Sequence, residues 1–139
     1  MRRHDKLMNA YKLFVLVCMI FCHIVDDYYL QGVLAKLKQR KFWEENAPQK
    51  LYKHDYIVAL ITHGLSWSFM IGVPVIVYWV ITGCFTELNV FNWIVLFLVE
   101  AITHSVIDNA KCNYLNINLV IDQLLHLLQI LFVWIICVV

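Results

Sequence analysis

The chain alternates between long apolar runs and short polar connections. Four runs are almost free of charge over roughly 20 positions, which is the length that an α-helix needs to cross a bilayer. They lie at about 11–30, 56–81, 90–108 and 117–139. None alternates as a barrel strand does, and only helices and closed barrels satisfy their backbone hydrogen bonds in lipid. The pattern predicts an all-α, integral membrane four-helix bundle in up-down-up-down order.

Composition supports this class. The chain has 139 residues, of which 62% are hydrophobic and 15% charged. A soluble domain of this size could not bury so much apolar surface, so we expect a single transmembrane domain over residues 1–139. The first run follows a basic start but lacks a small-residue cleavage site, so it is predicted to be a permanent helix. The net charge of +1 gives no indication of nucleic-acid binding.

The apolar runs contain a repeated polar pattern. Each has one histidine, and three of these histidines have an aspartate four residues away. Residues at i and i+4 share a helix face, so each pair forms part of a polar stripe. The set comprises His23, Asp27, His63, His104, Asp108, Asp122 and His126, with Gln31 and Glu100 one turn further along two of the stripes.

The position of these residues along each run is as informative as the helix face that they share. The pairs lie at the ends of the first and third runs and at the start of the fourth, and His63 lies near the start of the second. An up-down-up-down order brings all these positions to the same side of the membrane. In the opposite halves, no charged residue occurs at positions 13–22, 69–81, 93–99 and 127–139. The sequence therefore predicts a polar pocket that opens to one side.

Imidazole and carboxylate groups together are ligands for zinc, iron or manganese. Helical bundles build metal sites from such residues on facing helices. A lone histidine in an apolar helix is more often an interhelical hydrogen bonder. Three buried pairs, however, are costly to insert and add little packing. We therefore predict a divalent metal, most simply one or two zinc ions, and keep a structural polar network and a proton or ion relay as alternatives.

The connection between the first two runs is basic. It fits a positive-inside anchor, which would place the site on the cytoplasmic side, and it also fits a patch that attracts anionic headgroups or phosphates. The predicted substrate or ligand-orienting residues are Lys36, Lys38 and Arg40 of this connection, together with Gln31 and Gln123.

The strings "HIVDDYYLQ", "HSVIDNAKCNY" and "VIDQLLHLL", with His63 between them, carry a resemblance that covers nearly the whole chain. They resemble a family of small bacterial and phage integral membrane proteins known only as a domain of unknown function. More distantly, the repeated H-x3-D pattern resembles membrane-bound metal-dependent hydrolases and the helical zinc-dependent phospholipase C and nuclease superfamily. That superfamily uses three zinc ions and an N-terminal tryptophan. The Met-Arg-Arg start and smaller ligand set of this chain imply one or two ions.

Together these features predict a metal-dependent hydrolase in the bacterial inner membrane. Its substrate would be a phosphoester in a lipid or a headgroup-sized molecule, and its partners the bilayer and anionic lipid. Asp108 and Glu100 are the predicted catalytic residues, because a carboxylate can bind the metal or accept a proton. The alternatives are a non-catalytic membrane module that acts through partner proteins and, less favoured, a metal or proton carrier.

Overall fold

The computed structural model describes the backbone of residues 2–139 and the side chains of residues 7–139. Within this range the chain is helical, without strands, so the all-α class is confirmed. Two short helices in the first connection were not predicted. The helices are α1 (Arg2–Val25), α2 (Leu34–Leu37), α3 (Arg40–Asn46), α4 (Asp55–Thr82), α5 (Glu87–Cys112) and α6 (Leu119–Cys137), with a 3-10 turn at Lys50–Tyr52.

The end of α1 widens into a π-helical turn at Asp26–Leu30. In this turn the Gln31 amide donates to the Asp26 carbonyl five residues earlier, at 3.0 Å. Asp26 and Asp27 follow His23 by three and four positions, and residues at both spacings lie on one helix face. Here both carboxylates are buried, Asp26 at 1% and the Asp27 side chain at 8% exposure. The end of α1 and its π turn therefore contribute two carboxylates to the polar cluster.

The long helices α4 and α5 touch at Gly64. A Cβ at this position would overlap the Ala101 carbonyl and the Ser105 hydroxyl. The Ser105 hydroxyl itself donates to the Leu60 carbonyl of α4 at 3.0 Å. Small residues permit such close helix contact. Because His63 and His104 each adjoin this contact in sequence, it brings their two rings to a centroid distance of 5.0 Å.

Helices α5 and α6 do not start where the predicted apolar runs start, because capping residues determine the first residue of each helix. The Thr86 hydroxyl accepts from the Asn89 amide at 3.2 Å, and α5 starts at Glu87, three residues before the predicted start. The Asn118 side chain accepts from the Ile121 amide at 3.0 Å, and α6 starts at Leu119, two residues after the predicted start at 117. Such caps satisfy backbone amides that a helix leaves free at its start.

Apolar side chains form both an interior cluster and an outer surface. Large residues on all four long helices are more than half exposed, among them Phe14, Phe91 and Leu128. An apolar outer surface of this extent is unusual for a soluble monomer. All four long helices are long and apolar enough to cross a membrane. The interior cluster, below the polar layer, contains Val15, Met19, Trp67, Ile71, Val75, Tyr78, Trp79, Ile130, Val133 and Val138.

Hydrogen bonds between distant segments show which helix ends lie together. The Lys12 ammonium donates to the carbonyl of Val139 at 3.0 Å, which joins the first half of α1 to the residues after α6. The Asn113 side chain donates to the Lys38 carbonyl at 2.9 Å and accepts from the Arg40 amide at 2.7 Å. The connections after α1 and α5 therefore contact each other. The order of the helices across a membrane stays a prediction.

We predict that Gly64→Ala destabilises the bundle by about 1–3 kcal/mol, because the added methyl group meets rigid backbone of α5. Thermal or denaturant unfolding in detergent measures this change. Gly72→Ala is the matched control, because its Cβ would meet only the Trp93 side chain, at 2.8 Å, and a side chain can move. A larger loss of stability in Gly72→Ala would contradict the role given to the Gly64 contact.

Candidate metal centre

The seven predicted metal-ligand residues lie together in one buried layer. They come from four separate parts of the chain: the end of α1 with its π turn, the first half of α4, the end of α5 and the start of α6. His104, His126 and Asp122 are completely buried. The predicted set is His23, Asp27, His63, His104, Asp108, Asp122 and His126, and all seven side chains are less than 10% exposed.

Two overlapping triads within this layer have the spacing of metal ligands. In Asp27–His63–His104 and in His104–Asp108–His126, one donor atom from each residue lies within 4.8 Å of the others. The His63 Nε2 atom is 3.2 Å from Asp27 Oδ1, and His104 Nε2 is 3.8 Å from both Asp27 Oδ1 and Asp108 Oδ2. Ligands around a tetrahedral zinc ion lie roughly 3.3 Å apart. Both triads can therefore hold a cation.

Several nitrogen and oxygen atoms of this layer that could bind a metal have no hydrogen-bond partner among the described residues. They include both ring nitrogens of His104, His126 Nε2 and Asp122 Oδ1. Leaving such a buried atom unsatisfied costs about 1–3 kcal/mol. His126 Nε2 lies 3.5 Å from Asp122 Oδ1 and 3.6 Å from Asp108 Oδ1. A cation between these atoms would satisfy them together.

The orientation of His126 is set by a neighbour on its own helix. The Gln129 Oε1 atom lies 3.1 Å from His126 Nδ1, and the Gln129 amide donates to Glu100 Oε2 at 2.7 Å. A proton on Nδ1 leaves the Nε2 lone pair directed toward Asp108. Glu100, predicted as catalytic, is therefore one side chain away from the imidazole and belongs to neither triad. Gln129 was not among the predicted site residues, although it lies three residues after His126 on the same helix.

His23 is in the layer but in neither triad. Its Nδ1 atom accepts from the Trp67 indole at 2.8 Å, and its Nε2 lies 3.1 Å from Gln123 Oε1. The Gln123 amide in turn donates to Asp122 Oδ2 at 3.1 Å and to Asp27 Oδ2 at 3.3 Å. Both nitrogens of His23 thus have protein partners, and Gln123 links the carboxylates of two helices. The sequence pattern did not indicate Trp67.

The layer contains one carboxylate that sequence reasoning missed. Asp26 Oδ1 accepts from the Ser66 hydroxyl at 2.7 Å, and Asp26 Oδ2 lies 3.5 Å from His63 Nδ1. On the other side of the ring, Gln31 Nε2 is 2.9 Å from His63 Nε2, so this predicted contact residue does reach the cluster. Asp26 follows His23 by three positions, so the i, i+3 spacing on one helix face was a signal that could have indicated it.

Two lysines are paired with the aspartates. The Lys38 ammonium donates to Asp108 Oδ2 at 2.5 Å, and the Lys111 ammonium donates to Asp122 Oδ2 at 2.6 Å. Lys38 is only 7% exposed, and lysines are almost never so buried unless they are paired with an opposite charge. Lys111 was not predicted as a site residue, although it follows Asp108 by three positions on α5.

The other two predicted cations do not reach the triads. Lys36 is exposed on α2, and Arg40 donates from Nη2 to the Tyr56 hydroxyl at 2.9 Å. This hydrogen bond raises the pKa of the Arg40 guanidinium, which stays cationic. Of the three predicted basic contacts, only Lys38 reaches the buried layer that contains the two triads.

A cavity of about 240 Å³ adjoins the triads. Asp27 and Asp108 belong both to the triads and to the cavity wall. The two paired lysines also line it, so cationic groups and candidate metal ligands face the same space. The lining residues are Asp27, Tyr28, Gln31, Ala35, Lys38, Gln39, Asp108, Lys111, Cys112, Leu119 and Gln123.

Comparison with known families agrees with the uncharacterised family that the sequence resembles. A family model described as a protein of unknown function (DUF3307) matches residues 15–139. The chain belongs to the DUF3307 family. Every residue of the two triads in this DUF3307 protein lies inside the matched range. No curated protein and no solved structure gives a significant match.

We predict that Lys38→Met destabilises this DUF3307 protein by about 3–5 kcal/mol in the presence of a chelator, because it leaves the Asp108 carboxylate buried without a counter-ion. Lys36→Met is the matched control, two residues away and exposed, and should change stability by less than about 0.5 kcal/mol. Denaturant unfolding in detergent measures both. Equal effects of the two substitutions would show that the Lys38–Asp108 pair contributes nothing specific.

Proposed function

We propose that this DUF3307 protein is a membrane-embedded, metal-dependent hydrolase. The observation that carries the proposal is that Asp27 and Asp108, one from each triad, also line the cavity. A cation held by these carboxylates would be accessible to a molecule in the cavity. A purely structural metal site is normally closed by protein ligands, whereas a catalytic one keeps a position open.

Zinc fits the donor set best in this proposal, because imidazole nitrogens and carboxylate oxygens are its usual ligands. His63, His104 and Asp27 would hold one ion. Asp108 has one oxygen 3.5 Å from His63 Nε2 and the other 3.6 Å from His126 Nε2, so it is placed to bridge to a second ion on the side of Asp122.

The charge of the layer supports the binding of at least one divalent cation. Four aspartates, Asp26, Asp27, Asp108 and Asp122, face two lysines, Lys38 and Lys111. With all four carboxylates ionised, one divalent ion balances the excess of negative charge. Buried charge without compensation is strongly unfavourable. A second ion would make the layer cationic and would favour an anionic substrate.

The bound metal would lower the pKa of a water molecule and polarise the scissile group. Lys38 and Lys111 would neutralise the oxygens of an anionic substrate in the cavity, as cations do for transferring phosphoryl groups. Asp27, at the boundary between the cavity and the first triad, is placed to hold or accept a proton. Glu100 would act through Gln129, which keeps the His126 Nε2 lone pair directed toward Asp108 and free to bind a metal.

The cavity favours a phosphoester in a lipid or a headgroup-sized substrate. Its wall combines the two lysines with the amides of Gln31, Gln39 and Gln123, which suit phosphate oxygens. Tyr28 and Leu119 belong to the same wall and are more than half exposed on the apolar outer surface. A substrate with one apolar and one anionic part could therefore reach the site from the bilayer. The basic connection supports a cytoplasmic position for the site in a bacterial inner membrane, as part of the same proposal.

The second candidate function is a non-catalytic membrane module that acts through partner proteins. The extensive hydrogen bonding of His23 and Gln123 favours it, because such networks also hold helices together. A metal or proton carrier is the weakest alternative, since the apolar cluster around Val75 and Ile130 fills the bundle below the polar layer. Metal content separates the enzyme from a module without metal.

We predict that protein purified in detergent contains at least one zinc or similar ion per chain by elemental analysis. His104→Ala should lose most of this metal, because His104 is the residue common to both triads. His54→Ala is the matched control, because His54 lines a different cavity and should keep the wild-type content. Negligible metal in the wild-type protein would favour the non-catalytic module.

We predict that the protein cleaves phosphoesters and that a chelator stops the reaction. Asp108→Asn should lower turnover by about ten- to a hundredfold or more, because an amide cannot supply the negative charge that the metal requires. A panel of lipid and nucleotide phosphoesters, assayed with and without added zinc, measures the activity. The control is Glu45→Gln on exposed α3. If protein that contains metal shows no chelator-sensitive turnover on any substrate of the panel, the metal site is structural and the proposed catalysis is wrong.

A further inference from the structure

A second cavity, of about 370 Å³, lies in the connection between α1 and α4. It shares no lining residue with the cavity beside the triads. Its wall is formed by α3, by the 3-10 turn at Lys50–Tyr52 and by the residues around them. The lining residues are Arg40, Trp43, Glu44, Ala47, Pro48, Gln49, Lys50, Lys53 and His54.

The wall of this cavity is rich in positive charge. Arg40, Lys50 and Lys53 face one carboxylate, Glu44, and within residues 7–139 none of the three cations has a carboxylate within 4.0 Å. Cations without ionic partners that line one concave surface attract an anion. The nearby Lys41 differs, because its ammonium lies 3.6 Å from Glu45 Oε1 and it does not line the cavity.

Two of the lining side chains are held in place before any ligand binds. The Arg40 guanidinium donates to the Tyr56 hydroxyl at 2.9 Å, and its central carbon lies 5.1 Å from the centre of the Tyr56 ring. The Trp43 indole donates to the Leu37 carbonyl at 2.7 Å and stacks on Tyr52 with 6.3 Å between ring centroids. A fixed arginine is well suited to phosphate oxygens, and its fixed position reduces the entropic cost of binding.

The cavity lies where the lipid headgroups would be. The apolar stretch that includes α4 starts at Lys50, so the cavity adjoins the start of a candidate membrane span. Leu51 is 79% exposed beside it, and Tyr52 and Trp43 are aromatic residues of the kind enriched at membrane interfaces. An apolar side chain next to a basic cavity matches a molecule that has an acyl part and an anionic headgroup.

We propose that this second cavity binds the phosphate group of an anionic phospholipid as a bound lipid and not as a substrate. The inference rests on the proposed insertion in a membrane and is independent of the metal. Arg40 and the two lysines contact the headgroup, and Leu51 lies along the acyl chains. The bound lipid fixes the connection that carries Lys38 into the metal-binding layer.

Native mass spectrometry of the full chain in detergent, titrated with phosphatidylglycerol or phosphatidylcholine, tests the proposal. The wild-type protein should retain phosphatidylglycerol preferentially. The double variant Lys50→Gln/Lys53→Gln should weaken that binding roughly thirtyfold, because each cation near an anionic surface contributes about a fivefold preference. Lys41→Gln, a neighbouring cation outside the wall, should retain wild-type binding.

Equal retention of the two lipids, or unchanged binding by the double variant, would overturn the proposal. Displacement of the lipid by millimolar inorganic phosphate would show a site for free phosphate and would also overturn the lipid assignment. Elemental analysis of the same samples keeps this test separate from the proposed activity. The double variant should contain as much metal as the wild-type protein, whichever way the lipid experiment ends.

Discussion

The structure depends on the compensation of negative charge inside an apolar helical bundle. Four aspartate side chains are buried in one layer between helices whose outer faces are apolar. Isolated carboxylates in such surroundings would be highly unfavourable, so every other feature of the layer is arranged around them. Lys38 approaches from the connection after α1 and Lys111 from the end of α5, and the histidines present ring nitrogens to the remaining carboxylate oxygens.

Helix packing determines how closely these groups meet. The contact at Gly64 holds α4 against α5 and thereby sets the distance between His63 and His104. Trp67, one turn after His63, closes the layer from below, because its ring stacks on His104 with centroids 4.3 Å apart while its indole nitrogen bonds to His23. The boundary between polar layer and apolar core is therefore one side chain thick. Rigid aromatic packing and directed hydrogen bonds fix the ligand atoms together.

The sequence predicted that the His/Asp pairs lie together in one layer, and it predicted less well which other residues contact them. The spacing of His104 and Asp108 on one helix face, and the common depth of the pairs, follow from helical periodicity and were sufficient to predict the cluster. Asp26 was missed, although it follows His23 by three positions and therefore lies on the same helix face. Lys36 and Arg40 were grouped with Lys38 by composition alone. Their separation depends on the path of a connection with two short helices, which periodicity does not determine.

The lysine contacts also affect how the chain matures. Small metal-binding domains often cannot fold without their metal, because nothing else offsets the repulsion among the ligands. Here Lys38 and Lys111 are covalently attached counter-ions that already occupy one oxygen of Asp108 and one of Asp122. The helices can therefore assemble before any ion arrives. In the proposed function, insertion into the bilayer and loading with metal would therefore be separate events, and the timing of the second would follow the supply of metal in the cell.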